Sequence, residues 1–285
     1  MIELGDNFDT FKFASFNNFR EEKYRLVTKM QENEVIKSGN NEHIKSIGNN
    51  IDILNSLGIS SLDRVENGMV ISSYCNGNTL EEIMIKKILN EEKINEFFEE
   101  IDRYAQYIKE KMEQVDRKSF EFKDIFSKYS IEVEERVKDK FTYIKHGFID
   151  MTFDNIFVIE NNYFVYDQEW YEENVPLEYM LYRAINRFFF NNKQLRKIIT
   201  EEEVYARYGL TDYLELFRSL ENAWQKKIVD RNVLSYFEST YSATTSLESL
   251  KNSLSDLEFF KSIVEKQKEY ITQLENENEE LKKKR

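Results

Sequence analysis

FTYIKHGFIDMTFDNIFVIENNYFVYDQEW, residues 141–170, decides the reading of this chain. Within it, NIFVIE and YFVYD are short apolar strands joined by Asn161-Asn162, which predicts a hairpin. Asp150 and Asn155 stand just ahead of the hairpin, and Asp167 stands at the end of its second strand. Phosphoryl transfer asks little covalent chemistry of a protein. It needs a group that orients the attacking hydroxyl and takes its proton, and oxygen ligands that hold Mg²⁺ against the phosphates. A carboxylate, an amide oxygen five residues on and a second carboxylate beyond a hairpin are those parts. The Asp-x4-Asn spacing alone is weak in a chain so rich in Asn and Asp, where its bland reading is a solvated turn. A β insert inside an otherwise helical region gives it weight.

The upstream stretch adds more. FKFASF (11–16) and EKYRLVTKM (22–30) read as strands, the polar turn Gln31-Glu32-Asn33 follows, and Glu34-Val35-Ile36-Lys37 pairs back as a third strand. Ser38-Gly39-Asn40-Asn41 breaks that strand and caps a helix. Ile44, Ile47, Ile51 and Leu54 form one face of the helix, and Gly58 ends it. GMVISSYC (68–75) is the next strand and Asn76-Gly77-Asn78 the next turn. From about 79 the pattern is helical. Thr79 and Glu82 have capping-box spacing, and residues 91–116 carry an amphipathic stripe of Ile94, Phe97, Phe98, Ile101, Tyr104 and Ile108. From about 246, Leu257, Phe260, Val264, Gln267, Ile271, Leu274, Asn278 and Leu281 alternate at spacings of 3 and 4, the seam of a coiled coil. Leu247, Leu250, Leu254 and Leu257 set a second frame, so a stammer is expected near 257; the other reading of this tail is one amphipathic helix folded back on the globular part.

Composition narrows the function classes. Fifty-three acidic against 40 basic residues give a formal net charge of −13, which disfavours general nucleic-acid binding. The single cysteine, Cys75, excludes an internal disulfide and a cysteine metal cluster and fits a reducing compartment. MIELGDNFD lacks an apolar signal region, and no run reaches the roughly 18 apolar residues of a membrane span. A cytoplasmic protein is expected, with any membrane contact peripheral at the inner face. Neither GxGxxG nor GxxxxGK[ST] occurs.

These motifs together resemble a protein-kinase-like fold of the aminoglycoside-phosphotransferase and choline-kinase kind. That fold is α+β and bilobal: a small β-rich N-lobe (1–75), a mostly helical C-lobe (76–245) and then the C-terminal coiled-coil helix (246–285). Val35-Ile36-Lys37 resembles the third-strand lysine motif that holds the α- and β-phosphates of ATP. ISSYCNGNTL (71–80) resembles the strand, hinge and helix passage, so the resemblance turns the backbone of Ser73 and Cys75 to the adenine. It makes Asp150 the catalytic carboxylate, Asn155 and Asp167 the Mg²⁺ ligands, and Glu42 the ion-pair partner of Lys37, with Lys29 as fallback for the lysine.

The block HGFIDMTFDNIFV…YFVYDQEWYEENVPLEYMLYRAI is similar, more closely, to the kinase domain of bacterial chain-terminating kinase–methyltransferases of O-antigen synthesis (the WbdD type) and related surface-polysaccharide proteins. What this implies is ATP-dependent phosphorylation of a sugar hydroxyl at the end of a growing glycan. It also implies homo-oligomerisation through the coiled coil and association with glycosyltransferases of the same pathway. A small-molecule kinase of the aminoglycoside or choline type is the alternative, and a pseudokinase scaffold for glycosyltransferases is another. Two departures stand out. Phe148 occupies the position where such kinases carry His, with His146 two residues further upstream, and the Gly-rich phosphate loop is missing, its place taken by Asn17-Asn18. Glu169 and Trp170 read first as a turn residue and a packed aromatic. Arg183 and Arg187 read as structural ion pairs, with acceptor binding as the second reading.

Overall fold

The computed structural model describes residues 11–17, 19–31, 33–90, 93–119, 122–233 and 235. Its first part is β1 (Phe11–Phe16), β2 (Leu26–Gln31), β3 (Glu34–Gly39), α1 (Asn41–Ser56), β4 (Ser60–Ser61), β5 (Asp63–Glu66) and β6 (Met69–Ser73). Five of these strands make an antiparallel sheet in the order β1-β2-β3-β6-β5. The stretch 22–30 is not one strand. Residues Glu22–Tyr24 form a 3₁₀ turn, and the strand starts only at Leu26. Asn40 caps α1 as its sequence predicts: Oδ1 accepts from Glu42 N at 2.9 Å. Leu26, Ile44, Ile47, Ile51 and Val70 form a small apolar cluster between α1 and the sheet, while Leu54, at the far end of α1, belongs to the larger core.

The second part is mostly helical: β7 (Asn78–Thr79), α2 (Leu80–Ile88), α3 (Ile94–Lys111), α4 (Ile125–Lys128), α5 (Glu135–Lys138), β8 (Tyr143–Phe148), β9 (Ile156–Ile159), β10 (Asn162–Val165), β11 (Tyr171–Pro176), α6 (Leu177–Asn191), α7 (Glu201–Arg207) and α8 (Leu214–Ile228). Thr79 and Glu82 close the predicted capping box. Phe97, Ile101, Tyr104, Phe153, Phe188 and Phe217 are buried together in the larger core. The expected hairpin is β9–β10, with the turn one residue early: Glu160 and Asn161 take φ of 49° and 64°, the left-handed pair of a two-residue hairpin turn. Strand β10 also runs parallel to β4, which ties the hairpin to the end of α1.

The chain is thus α+β, a β-rich first part and a helical second part, as expected. Met1–Asp230 group into one unit and Arg231–Arg285 into a second. The predicted coiled coil, 246–285, lies outside the described residues. Among the described residues, no helix is long and apolar enough to cross a membrane.

Candidate active site

The hairpin β9–β10 and the pair β8–β11 frame a loop, residues 149–155, that is held from all sides. Ile149 N donates to Trp170 O at 2.9 Å, and Met151 N to Phe148 O at 2.9 Å. Tyr104 Oη, buried in α3, donates to Met151 O at 2.6 Å, and Arg183 Nε to Ile149 O at 2.6 Å. The Asp150 carbonyl accepts from Thr152 N at 2.7 Å, from the Asn155 amide at 2.9 Å and from Gln168 Nε2 at 3.1 Å. The Asn155 side chain therefore spends its N–H on the loop. Its oxygen accepts from no described residue.

Asp167 comes to the same place at the end of β10. Its φ is 58°, a left-handed conformation that a non-glycine residue holds only when its surroundings fix it. The fixing group is Asp63, buried on β5: Oδ2 accepts from Asp167 N at 2.7 Å and Oδ1 from Ser72 Oγ at 2.5 Å. Asn50 of α1 donates to the carbonyls of Gln168 and Glu169, 3.1 Å each. Two elements, β5 and α1, thus set the backbone at 167–169, and Ser72 of β6 steadies the Asp63 carboxylate.

Lys37, buried on β3, bonds the Asp167 carboxylate and donates to Glu169 Oε1 at 3.3 Å. The expected partner, Glu42, does neither. It is exposed in the first turn of α1, because the inward row of that helix is His43, Ile47 and Asn50. Glu169 takes the role: buried, it bonds Lys37 and Arg20, with His43 Nε2 3.7 Å away. That separation is too long for a hydrogen bond, so His43 acts on the carboxylate only as a nearby polar group. Reading Glu169 as a turn residue misses this. Its signal was the Asp-x-Glu spacing just past the hairpin, two carboxylates that both reach Lys37.

The electrostatics follow burial. Burial pushes the Asp150 carboxyl up to about 7, helped by Asp167 and Glu169 and opposed by Arg183, whose Nη2 lies 3.5 Å from Oδ1. Burial and Glu169 raise Asp167 to about 6, with Lys37 opposing. Glu169 goes the other way: burial is outweighed by His43, Lys37 and Arg20, which hold it well below the usual range. Burial would lower Lys37, but Asp167 and Glu169 outweigh it and keep the ammonium charged.

Two cavities meet over these groups. One, about 440 Å³, is lined by Lys37, Val35, Leu62, Ser73, Cys75, Phe157 and Tyr166 among others. Cys75 N–H, at its rim, donates to no described residue, and the Cys75 thiol accepts from Gly77 N at 3.3 Å. The other, about 300 Å³, is lined by Asp150, Thr152, Asn155, Trp170, Arg183, Arg187 and Trp224 among others. Arg20, Asp167 and Glu169 line both. Arg183 and Arg187 form the expected ion pairs, with Glu221 and Asp154, and still wall the second cavity. Phe148, at the expected histidine position, is fully buried, and His146 Nδ1 sits 2.8 Å from Tyr171 Oη on the β8–β11 pair.

The donor set suits a hard cation held in part by a substrate. Among the described residues no three His, Cys, Asp or Glu are grouped to hold a metal ion by themselves. The Asp167 carboxylate and the Asn155 amide oxygen are instead oxygen donors in one cleft, the kind of partial shell that Mg²⁺ completes with water and phosphate.

No protein-family profile matches the sequence, and no curated protein is detectably similar to it. Solved structures with some likeness include a choline/ethanolamine kinase family protein from Mesorhizobium loti (10% identity, 70% of this chain and 75% of that one, TM-score 0.35). The choline kinase LicA from Streptococcus pneumoniae is another (14%, 76% and 86%, TM-score 0.36), and an ethanolamine kinase from Plasmodium vivax a third (16%, 74% and 71%, TM-score 0.31). Overlaps this slight transfer nothing to this chain, whose site stands on its own geometry.

Proposed function

We propose that this chain is an ATP-dependent phosphotransferase of the protein-kinase-like kind, acting on an alcohol. The observation that carries this is that Asp167, which lines both cavities, joins Lys37 in one to Asp150 and Asn155 in the other. Lys37, ionised at any ordinary pH, holds the nucleotide phosphates. The apolar walls of the larger cavity, with the open N–H of Cys75 and the backbone at Ser73, receive the base. Asp150, poised near neutrality by burial, orients the acceptor hydroxyl and takes its proton. Asn155 and Asp167 hold Mg²⁺, which when bound neutralises charge on the transferring phosphates. Glu42 has no part.

The acceptor cavity favours a sugar over an ammonium compound. A quaternary ammonium ligand needs open aromatic faces. Here Arg183 already lies over Trp224, 4.4 Å from its centroid, and Arg20 over Trp170 at 5.5 Å. Polar guanidinium edges beside rings suit hydroxyl groups. The proposed acceptor is a sugar hydroxyl; that it stands at the end of a bacterial surface glycan, with chain capping as the outcome and oligomerisation through 246–285 as the organising device, rests on the resemblance of the 146–185 block alone. Partnership with glycosyltransferases belongs to the same proposal.

Asp150→Asn tests the chemistry. Calorimetric affinity for Mg·ATP should stay within about threefold of wild type, while phosphate transfer falls at least a hundredfold. Wild-type turnover in the variant would remove Asp150 from its role.

A further inference from the structure

The segment at the place of a glycine-rich phosphate loop is tied down by hydrogen bonds at its described residues. Residues 17–25, NNFREEKYR, contain no glycine. Arg20 N donates to Asn17 O at 3.2 Å, and Asn17 Oδ1 accepts from Leu26 N at 2.7 Å. Arg25 Nε donates to Arg20 O at 2.8 Å, and Arg25 Nη2 reaches Asp230 at 3.2 Å. The strap is then fastened to the end of α8. Glu21 N donates to Ile228 O at 2.7 Å, Asp230 N to Phe19 O at 2.8 Å, and Arg20 pairs with Val229 in an antiparallel bridge. A segment of the β-rich part is thereby stitched by backbone to the helical part, beside the cavities that Asn17, Arg20, Ile228 and Val229 line.

The stitching places Arg20 where the two cavities join. Two cations, Arg20 and Lys37, line the larger cavity, and three, Arg20, Arg183 and Arg187, line the smaller. Arg20 alone is common to both sets. Its Nη1 bonds Glu169, and its guanidinium lies against Trp170. Its Nε and Nη2 donate to no described residue, and the side chain is about a quarter exposed, at 27%. An anchored arginine with half its fork open therefore stands at the boundary between nucleotide and acceptor.

We propose that Arg20 stabilises the transferring phosphoryl group, replacing the backbone amides of a glycine-rich loop with one fixed guanidinium. The inference rests on the phosphotransferase reading. In the step concerned, the acceptor oxygen forms a bond to the γ-phosphorus as the bond from that phosphorus to the β,γ-bridging oxygen breaks. The hydroxyl proton passes to Asp150, and ADP leaves with the bridging oxygen. Negative charge on the equatorial oxygens lies at the boundary of the cavities, within the field of Arg20. Five N–H donors in a rigid fork suit that charge; a lysine ammonium in the same place keeps the charge and loses the fork.

The test compares wild type, Arg20→Lys and Arg20→Gln in the full chain. It measures affinity for Mg·ADP, affinity for Mg·ADP with aluminium fluoride (a mimic of the transferring group) and labelled phosphate transferred or released from ATP. We expect Mg·ADP affinity within about threefold in both variants, mimic affinity down about a hundredfold or more, and turnover down about a thousandfold. Arg20→Lys retains an ion pair to Glu169, so it carries the test if Arg20→Gln does not fold. Equal losses of ADP and mimic affinity would reduce Arg20 to a structural or ground-state role and overturn the proposal. Turnover and mimic affinity within threefold of wild type would do the same. If wild type binds no Mg·ADP, the phosphotransferase reading fails first and takes this inference with it.

Discussion

Glu221 shows how much of the site is built by residues that no motif marks. It projects from α8, accepts from Tyr179 Oη at 3.0 Å and bonds Arg183, which in turn faces Asp150. Burial alone would raise its carboxyl. The Arg183 guanidinium outweighs that, with hydrogen bonds from Gln225 and Tyr179, and holds it below its ordinary value of 4.5. A carboxyl depressed in the folded state stabilises the fold above its unfolded pKa. That contribution is lost as pH falls from about 4.5 through the lower folded value. Glu221→Gln should therefore flatten the acid limb of unfolding free energy against pH below about 4.5. At neutral pH it should also lower stability by about 3 kcal/mol, because Arg183 is left buried without its partner. Urea titrations from pH 3 to 7 check both, and an unchanged acid limb would refute the assignment. Asp150, Asn155 and Asp167 stand out as candidates in the sequence because of their spacing around a hairpin, and Lys37 because Val35-Ile36-Lys37 resembles a strand lysine motif. Glu221, Asp63, Asn50 and Gln168 do not, because each acts across the fold on another residue's backbone or charge.

At the scale of elements, the strand order and α1 could be read because their signals are local: alternation, the Asn40 cap and the row Ile44, Ile47, Ile51, Leu54. The pair β8–β11 could not. YEENVP is polar, contains Asn174 at a φ of 52°, and pairs with a strand some 25 residues earlier. Glu42 failed as a site residue for a related reason. Proximity in sequence to Lys37 suggested it, but one step along a helix turns a side chain by about 100°, and the inward position is His43. The β8–β11 pair makes its own prediction. A Cβ on Gly147 would stand 2.5 Å from Val175 Cγ2 and 3.3 Å from Glu172 O. Gly147→Ala should overpack this ladder and cost about 1–3 kcal/mol, with loss of activity, since β8 leads directly into Asp150. Stability within experimental error of wild type would contradict the packing described.

For the whole molecule, the proposed oligomer depends on a seam outside the described residues, so it is tested by mass. Light scattering should give a multimer for the full chain and a monomer for the chain lacking 246–285; a monomeric full chain would end the proposal. The proposal that residues 37, 150, 155 and 167 form one phosphotransfer site holds whether or not the chain oligomerises. The direct measurement is transfer of label from [γ-³²P]ATP to a panel of defined oligosaccharides and amino alcohols, with wild type and Asp150→Asn side by side. The account predicts label on a sugar hydroxyl with wild type, none above background with the variant, and Mg·ATP binding retained by both. Equal labelling by the two proteins, or no transfer and no nucleotide binding by wild type, would contradict it.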